Sequence, residues 1–464
     1  MQSRHSDNTR HSDNILGASE KTVWKGSDSL QRMRAIVGNL DPCAVRISGE
    51  ITETVAGHAR VAGLSSWLTL GDTVHVGHAT NNTLAEVIRL DAGGVTIKSY
   101  AQTLDVGLGA PVWRGGRLTL APHADWVGRV IDALGKPIDD KGPLLQGPRR
   151  MDINAEAPPS TQRARINRPL QTGVRAIDLF TPICAGQRIG LFSGSGVGKS
   201  TLLGMMAKGG QFDIVVAALV GERGREVREF LEETVSGPNW ITVVSTADES
   251  PMMRRLAPKT ATCIAEYFRD QGLSVLLVVD SVTRFAHASR EIALAGGEPA
   301  VARGFAPSVF ADLPRLLERA GPGLDGSGTI TAIFTVLVDG DDHNDPIADT
   351  IRGTLDGHIV LDRAIAGQGR YPAIDVLASL SRLAQLCWTE EQRVLIRRLR
   401  AMTARFEDTR DLRALGGYTP GQDGELDQAV HIVQRIYTVL GQTPSDPVST
   451  DPFRELAEAL RGRN

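Results

Sequence analysis

Between residues 125 and 385, five short apolar runs follow one another: Arg188 to Phe192, Ile214 to Val220, Ile241 to Val244, Val275 to Val279 and Ile330 to Val338. Each has the length of a strand, and helical stretches separate them. A strand that is apolar throughout must be covered on both faces. The series therefore predicts a mostly parallel sheet with helices packed on either side, an α/β core.

The flanks read differently. From about 43 to 112, short runs alternate apolar with polar residues (Val45/Ile47, Val74/Val76, Val87, Leu90, Val95, Ile97), and glycine turns such as Asp91-Ala92-Gly93-Gly94 divide them. That spacing predicts a small sandwich or β-barrel. After about 390, Leu426, Ala429, Val430, Val433, Ile436, Tyr437 and Leu440 recur at helical spacing, and Phe453 to Leu460 forms a shorter amphipathic stretch. The first 30 residues are polar and duplicate the string RHSDN, at Arg4 to Asn8 and Arg10 to Asn14. A stretch with no apolar face predicts a disordered tail. The expected organisation is a tail over 1–35, a β-barrel over 36–115, the α/β core over 116–385 and a helical C-terminal domain over 386–464.

Composition narrows the classes of function. The chain has 464 residues and a formal net charge of -3. It lacks the basic balance of a nucleic-acid binder, and the barrel stretch has few aromatics on which bases could stack. Cys43, Cys184, Cys263 and Cys387 show no CxxC spacing, which argues against a zinc site or a disulfide framework. The apolar runs fall well short of the ~18 residues that span a bilayer. No apolar core of a signal peptide opens the chain. The expected location is the cytoplasm, with membrane contact only through partners.

The run Arg188 to Phe192 leads into Ser193-Gly194-Ser195-Gly196-Val197-Gly198-Lys199-Ser200-Thr201, and a helix is predicted from about Leu202. This is the strand, glycine-rich loop and helix order of a phosphate-binding loop. Its glycines let backbone N–H groups turn toward phosphate oxygens, and the helix adds its positive N-terminal end. Lys199 can reach the β- and γ-phosphates, and the Ser200 hydroxyl can ligate Mg²⁺. The strict motif has glycine where this chain has Ser193.

Two carboxylates complete a hydrolytic set. The run Val275 to Val279 ends at Asp280, placed to hold Mg²⁺ through water at the edge of the sheet. The run Ile214 to Val220 ends in Gly221-Glu222-Arg223-Gly224-Arg225-Glu226. Glu222, on a strand expected beside the phosphate-loop strand, can orient or deprotonate the attacking water. Arg223 can steady phosphate charge. Arg225, Glu226, Arg228 and Glu229 read as a solvated helix face.

Six segments in order, Gly194 to Ser200, Gly221 to Glu226, Leu277 to Ala288, Pro307 to Gly321, Val338 to Ala348 and Tyr371 to Arg382, resemble the catalytic subunits of rotary ATP synthases. They resemble still more closely the export ATPases of bacterial flagella and type III secretion systems. The match runs from roughly 40 to 440 and includes Gly128 to Asp139 and Tyr418 to Ala429. It implies a RecA-like P-loop core preceded by a small β-barrel and followed by a helical C-terminal domain. It implies Mg-ATP hydrolysis, with ATP held by residues 193–201 and Tyr371, and Mg²⁺ by Ser200 and Asp280. Lys199, Glu222, Arg223 and Asp280 would be catalytic. Tyr371 is similar to the aromatic that packs on adenine, and Arg382 to the arginine finger that enters a neighbouring subunit's site. Residues Ala306 to Leu317 would face the centre of a ring. The family often has glutamate where this chain has Asp339.

Glu222 and Arg382 occur in one chain, so a single polypeptide supplies both halves of an inter-subunit site. That points to a homo-oligomer, a six-membered ring. The resemblance further implies a stator-like regulator at the N-terminus, a central stalk-like protein, an export gate and cargo–chaperone complexes as partners, at the inner membrane. A virulence-type secretion ATPase would share this chemistry. A ring-shaped RNA helicase would need the basic and aromatic residues that are sparse here. A non-catalytic nucleotide-binding subunit would lack the carboxylate at Glu222.

Overall fold

The computed structural model describes residues 47–461 apart from 56, 79, 80, 195, 236 and 339–344. The expected tail over 1–35 and its regulator site, Cys43, Ser195 and Asp339 lie outside the described residues.

Six antiparallel strands come first: β1 (Ser48–Val55), β2 (His58–Ala62), β3 (Thr73–His78), β4 (Asn81–Asp91), β5 (Gly94–Ser99) and β6 (Pro111–Gly116). They pair in the order β1-β2-β5-β4-β3-β6, and β6 returns to β1, so the barrel closes. Closure removes the unpaired edges that an open sheet of this size would expose. The alternation in sequence becomes inside and outside: Ile51, Val61, Val74, Val76, Val87, Val95, Ile97 and Val112 are all at most 1% exposed. At the β4–β5 turn, Gly94 has φ of 145°, and a Cβ there would stand 2.7 Å from the Val61 carbonyl oxygen.

The central sheet contains β7 (Val130–Asp132), β8 (Arg188–Ser193), β9 (Ile214–Glu222), β10 (Trp240–Thr246), β11 (Ser274–Asp280), β12 (Thr329–Leu337), β13 (Gly357–Leu361) and β14 (Ile374–Ser381). Their order is β14-β13-β8-β12-β11-β9-β10-β7. All neighbours along this path are parallel except β13 and β14. Strand β9 shows why its sequence is apolar throughout. Ile214, Val216, Ala218 and Val220 enter one core, and Val215, Ala217 and Leu219 enter the other. Against the first core lie α3 (Pro251–Asp270), α4 (Val282–Ala295) and α5 (Pro307–Glu318). Against the second lie α1 (Lys199–Gly209), α6 (Glu390–Asp408) and α7 (Gly424–Leu440), with α8 (Pro452–Arg461) adding Leu456.

Helix α6 starts on a reciprocal cap that the chain spells as Thr389-Glu390-Glu391-Gln392. The Thr389 hydroxyl accepts from the Gln392 backbone N–H at 3.2 Å, and the Gln392 side-chain Oε1 accepts from the Thr389 backbone N–H at 2.9 Å.

The first core also contains an ion pair. Arg319 donates to both Glu266 oxygens, at 2.9 and 2.7 Å, and to the Ile153 carbonyl at 2.6 Å. Both side chains are 4% exposed. The fork geometry satisfies both ions, but removing one leaves the other charged and buried. Arg319→Ala is therefore expected to cost about 3–5 kcal/mol of stability. The shift in unfolding midpoint measures it, and a shift as small as that of a surface substitution would refute the expectation.

Candidate active site

The site lies at the carboxyl ends of the parallel strands, where open α/β sheets bind ligands. Strand β8 delivers the phosphate loop. Gly196 and Gly198 have φ of 77° and 89°, and Gly198 is the N-cap of α1. The helix therefore starts at Lys199, three residues before the expected start, and its first-turn N–H groups face the cleft. The buried Val197 side chain anchors the loop in the second core. At Gly194 a Cβ would stand 2.7 Å from Arg363 Nε, so that arginine lies across the loop.

A cleft of about 660 Å³ is lined by Ser193, Gly194, Gly196, Gly198, Lys199, Ser200, Thr201, Glu222, Arg223 and Asp280. The structure thus gathers nearly all the expected phosphate, metal and hydrolytic residues. One expectation needs correction. Strand β9 is not beside β8; β12 and β11 lie between them. Glu222 reaches the site because β9 continues to its own carboxyl end and Lys199 extends across the gap. Lys199 Nζ is 2.6 Å from Asp280 Oδ1 and 3.7 Å from Glu222 Oε1.

The electrostatics follow from burial. The Lys199 and Glu222 side chains are each 15% exposed and Asp280 is 3% exposed. Desolvation disfavours the Lys199 ammonium, but the Asp280 and Glu222 carboxylates outweigh it and hold its pKa above the ordinary lysine value. Asp280 Oδ1 also accepts from the Thr335 hydroxyl of β12 at 2.7 Å. Burial pushes the Glu222 carboxyl up to about 7; Lys199 opposes the shift, while Asp280 and a hydrogen bond to Glu226 reinforce it. Glu226 correspondingly falls below its usual range, chiefly through that hydrogen bond. It also lines the cleft, so Glu226 is not the purely solvated residue expected from its charged run.

Two buried polar atoms at the site, Ser193 Oγ and Glu222 Oε1, have no hydrogen-bond partner, although Lys199 faces the second at 3.7 Å. Among the described residues no group of three or more His, Cys, Asp or Glu could hold a metal unaided. Mg²⁺ in nucleotide sites keeps waters and phosphate oxygens and needs only one or two protein oxygens. The Ser200 hydroxyl and Asp280 carboxylate are hard donors of that kind, so the residues fit Mg-ATP. When bound, Mg²⁺ supplies charge neutralisation across the phosphates.

Tyr371 begins the segment before β14, and its ring lies 3.7 Å from where a Gly198 Cβ would be. It is 46% exposed and borders a second cavity of about 240 Å³ reaching Tyr437 and Gly441. Gln442 fixes this segment from the C-terminal side. Its N–H donates to the Tyr371 carbonyl at 2.8 Å, and its side chain donates to the Gly173 carbonyl at 2.8 Å.

Arg382 is elsewhere. Because β14 runs antiparallel to β13, it starts at the phosphate-loop end, where Ile374 pairs with Leu361, and ends at the far side, where Ser381 pairs with Gly357. The Arg382 N–H donates to the Asp356 carbonyl, and the Asp356 N–H donates to the Arg188 carbonyl at the start of β8. Five residue-to-residue steps lead from Arg188 to Ser193 along the strand, a span of roughly 16 Å. Exposed there, Arg382 does not line its own chain's cleft.

Sequence reasoning missed Arg284 and Arg363, which both line the cleft. Arg284 stands in the first turn of α4, capped by Ser281, four residues beyond Asp280. A cation so close to the candidate metal-binding carboxylate was the available signal.

Residues 173–381 match the ATP synthase alpha/beta family, nucleotide-binding domain, and residues 388–460 match the T3SS EscN ATPase C-terminal domain. A flagellum-specific ATP synthase of Agrobacterium fabrum is 53% identical, over 97% of this chain and 96% of its own length. The chain belongs to the flagellar and type III secretion ATPase family. It is a P-loop ATPase, with the nucleotide-binding site that the family implies. A type 3 secretion system ATPase of Xanthomonas euvesicatoria is 43% identical, over 86% of this chain and 91% of its own. In structure, the assembled ATPase EscN of the enteropathogenic E. coli type III secretion system superposes with a TM-score of 0.83 at 39% identity. That comparison covers 89% of this chain and 100% of EscN. The barrel, parallel core and C-terminal helices are therefore the fold of the family.

Proposed function

We propose that this chain hydrolyses Mg-ATP to energise export of flagellar proteins through a type III secretion apparatus, releasing and unfolding cargo at the export gate. The observation that carries the reading is the Lys199, Glu222 and Asp280 constellation, set in a chain 53% identical to flagellum-specific relatives. In this reading Lys199 and residues 193–201 hold the phosphates, and Ser200 and Asp280 hold Mg²⁺, Asp280 through water. Glu222 orients and deprotonates water, Arg223 assists it, and Tyr371 packs on adenine.

Arg382 serves the neighbouring subunit in a homohexamer. Its distance from the cleft of its own chain supports this, as does similarity to the assembled EscN. A second EscN structure, in complex with its central stalk EscO, superposes with a TM-score of 0.79 and supports a stalk-like partner here. The regulator, export gate and cargo–chaperone complexes belong to the same proposal. So does a cytoplasmic location, peripheral at the inner-membrane export apparatus. No helix among the described residues is long and apolar enough to cross a membrane.

Complementation tests the reading. In a strain deleted for the gene, the wild-type chain should restore flagellin secretion and motility, and Glu222→Gln should restore neither. Full secretion with Glu222→Gln, or restored export of virulence effectors but not of flagellin, would overturn it.

A further inference from the structure

We infer that Cys184 and Cys387 form an oxidisable dithiol that, on becoming a disulfide, displaces the segment carrying Arg382 and slows turnover. Their sulfur atoms stand 3.4 Å apart although 203 residues separate them in sequence. Cys184 is buried in the short strand Ile183–Cys184, just before β8. Cys387 is partly exposed and ends the short helix Ala384–Cys387, just after Arg382. A disulfide has an S–S distance of about 2.05 Å, so closure requires the two sulfur atoms to approach by more than 1 Å.

The pair adjoins the hydrogen bonds that seat Arg382. The Gln187 side chain accepts from the Cys184 N–H at 2.8 Å and donates to the Asp356 carbonyl at 3.1 Å and to Ser381 Oγ at 3.2 Å. The same Asp356 carbonyl accepts the Arg382 N–H. Trp388 Nε1, donating to the Leu179 carbonyl at 3.1 Å, holds the other side of the helix. Movement at Cys387 is therefore passed back toward Arg382.

The chemistry balances with a peroxide as oxidant. The partly exposed Cys387 thiol takes one peroxide oxygen: the O–O bond breaks, an S–O bond forms and water leaves. Cys184 then attacks the Cys387 sulfur: the S–S bond forms, the S–O bond breaks and a second water leaves. Two thiols lose two electrons and two protons, and peroxide is reduced. Cys263 makes an internal control, because it is fully buried in α3 whereas Cys387 is partly exposed.

The slowing of turnover rests on the proposed role of Arg382; formation of the disulfide does not. The experiment treats full-length Cys43→Ser protein with hydrogen peroxide. Peptides are mapped by mass without reduction, and ATPase rate is measured before and after dithiothreitol. Expected is a Cys184–Cys387 cross-link with a reversible fall in rate, up to about 10²-fold for a displacement near 1 Å. Cys387→Ser and Cys184→Ala should keep the untreated rate and ignore peroxide. Absence of the cross-link overturns the inference, and so does a cross-link that leaves the rate unchanged. Because mixing of subunits tests Arg382 separately, failure of that assignment is distinguishable from failure of the dithiol.

Discussion

Arg382→Ala is expected to lower ATP turnover by about 10³–10⁵, the range lost when an arginine finger is removed. The side chain is exposed at the end of β14, on the far side of the sheet from the phosphate loop of its own chain. In the proposed function its contribution is made to another subunit. Three further results follow from that geometry. Specific activity should rise with protein concentration, because dilute monomers lack the finger. Arg382→Ala alone should still bind nucleotide, since its own loop is intact. Mixed with Glu222→Gln, it should regain part of the rate, because some interfaces then pair an intact Glu222 with an intact Arg382. A wild-type rate for Arg382→Ala, independent of concentration, would show that one chain completes the site.

Glu222→Gln is expected to cost about 10²–10⁴ in turnover while leaving nucleotide binding largely in place. The amide keeps the shape of the side chain but cannot take a proton. The wild-type pH profile supplies an independent check. Burial raises the Glu222 carboxyl to about 7, so it is protonated and inactive as a base below that pH and ionised above it. In kcat/KM, which reports the free enzyme, activity should fall on the acid side with a midpoint near 7. The residual activity of Glu222→Gln should lack that limb. A wild-type midpoint in the ordinary glutamate range would mean that another group limits the acid side.

The chain made its phosphate loop legible because loop, lysine and hydroxyl are contiguous, and Asp280 because it directly ends an apolar run. The two-residue alternation marked the first domain as a small sandwich or barrel, and only the strand pairing decides for the closed barrel. Strand order was not legible. Glu222 sits three places from β8 in the sheet, and the crossover helices that set that spacing carry only generic apolar faces. Glu226 was hidden by its neighbours: a charged helical run looks alike whether it faces solvent or a carboxylate four residues back. The far-side placement of Arg382 depends on β14 turning antiparallel, which its apolar pattern does not encode. Arg363 reaches the loop across the end of β13, a contact between segments far apart in sequence.

Strand β14 has one more consequence. Its first residue follows the Tyr371 segment at one active site, and its last precedes Arg382, proposed to act at the next. In the proposed function, one short piece of backbone thus joins a ligand contact at each end. If Tyr371 and Arg382 act as proposed, a shift of the base in one cleft would tilt the arginine presented to the adjoining cleft. Six such levers placed head to tail would let each subunit time its neighbour, so firing could pass around the ring without a separate messenger.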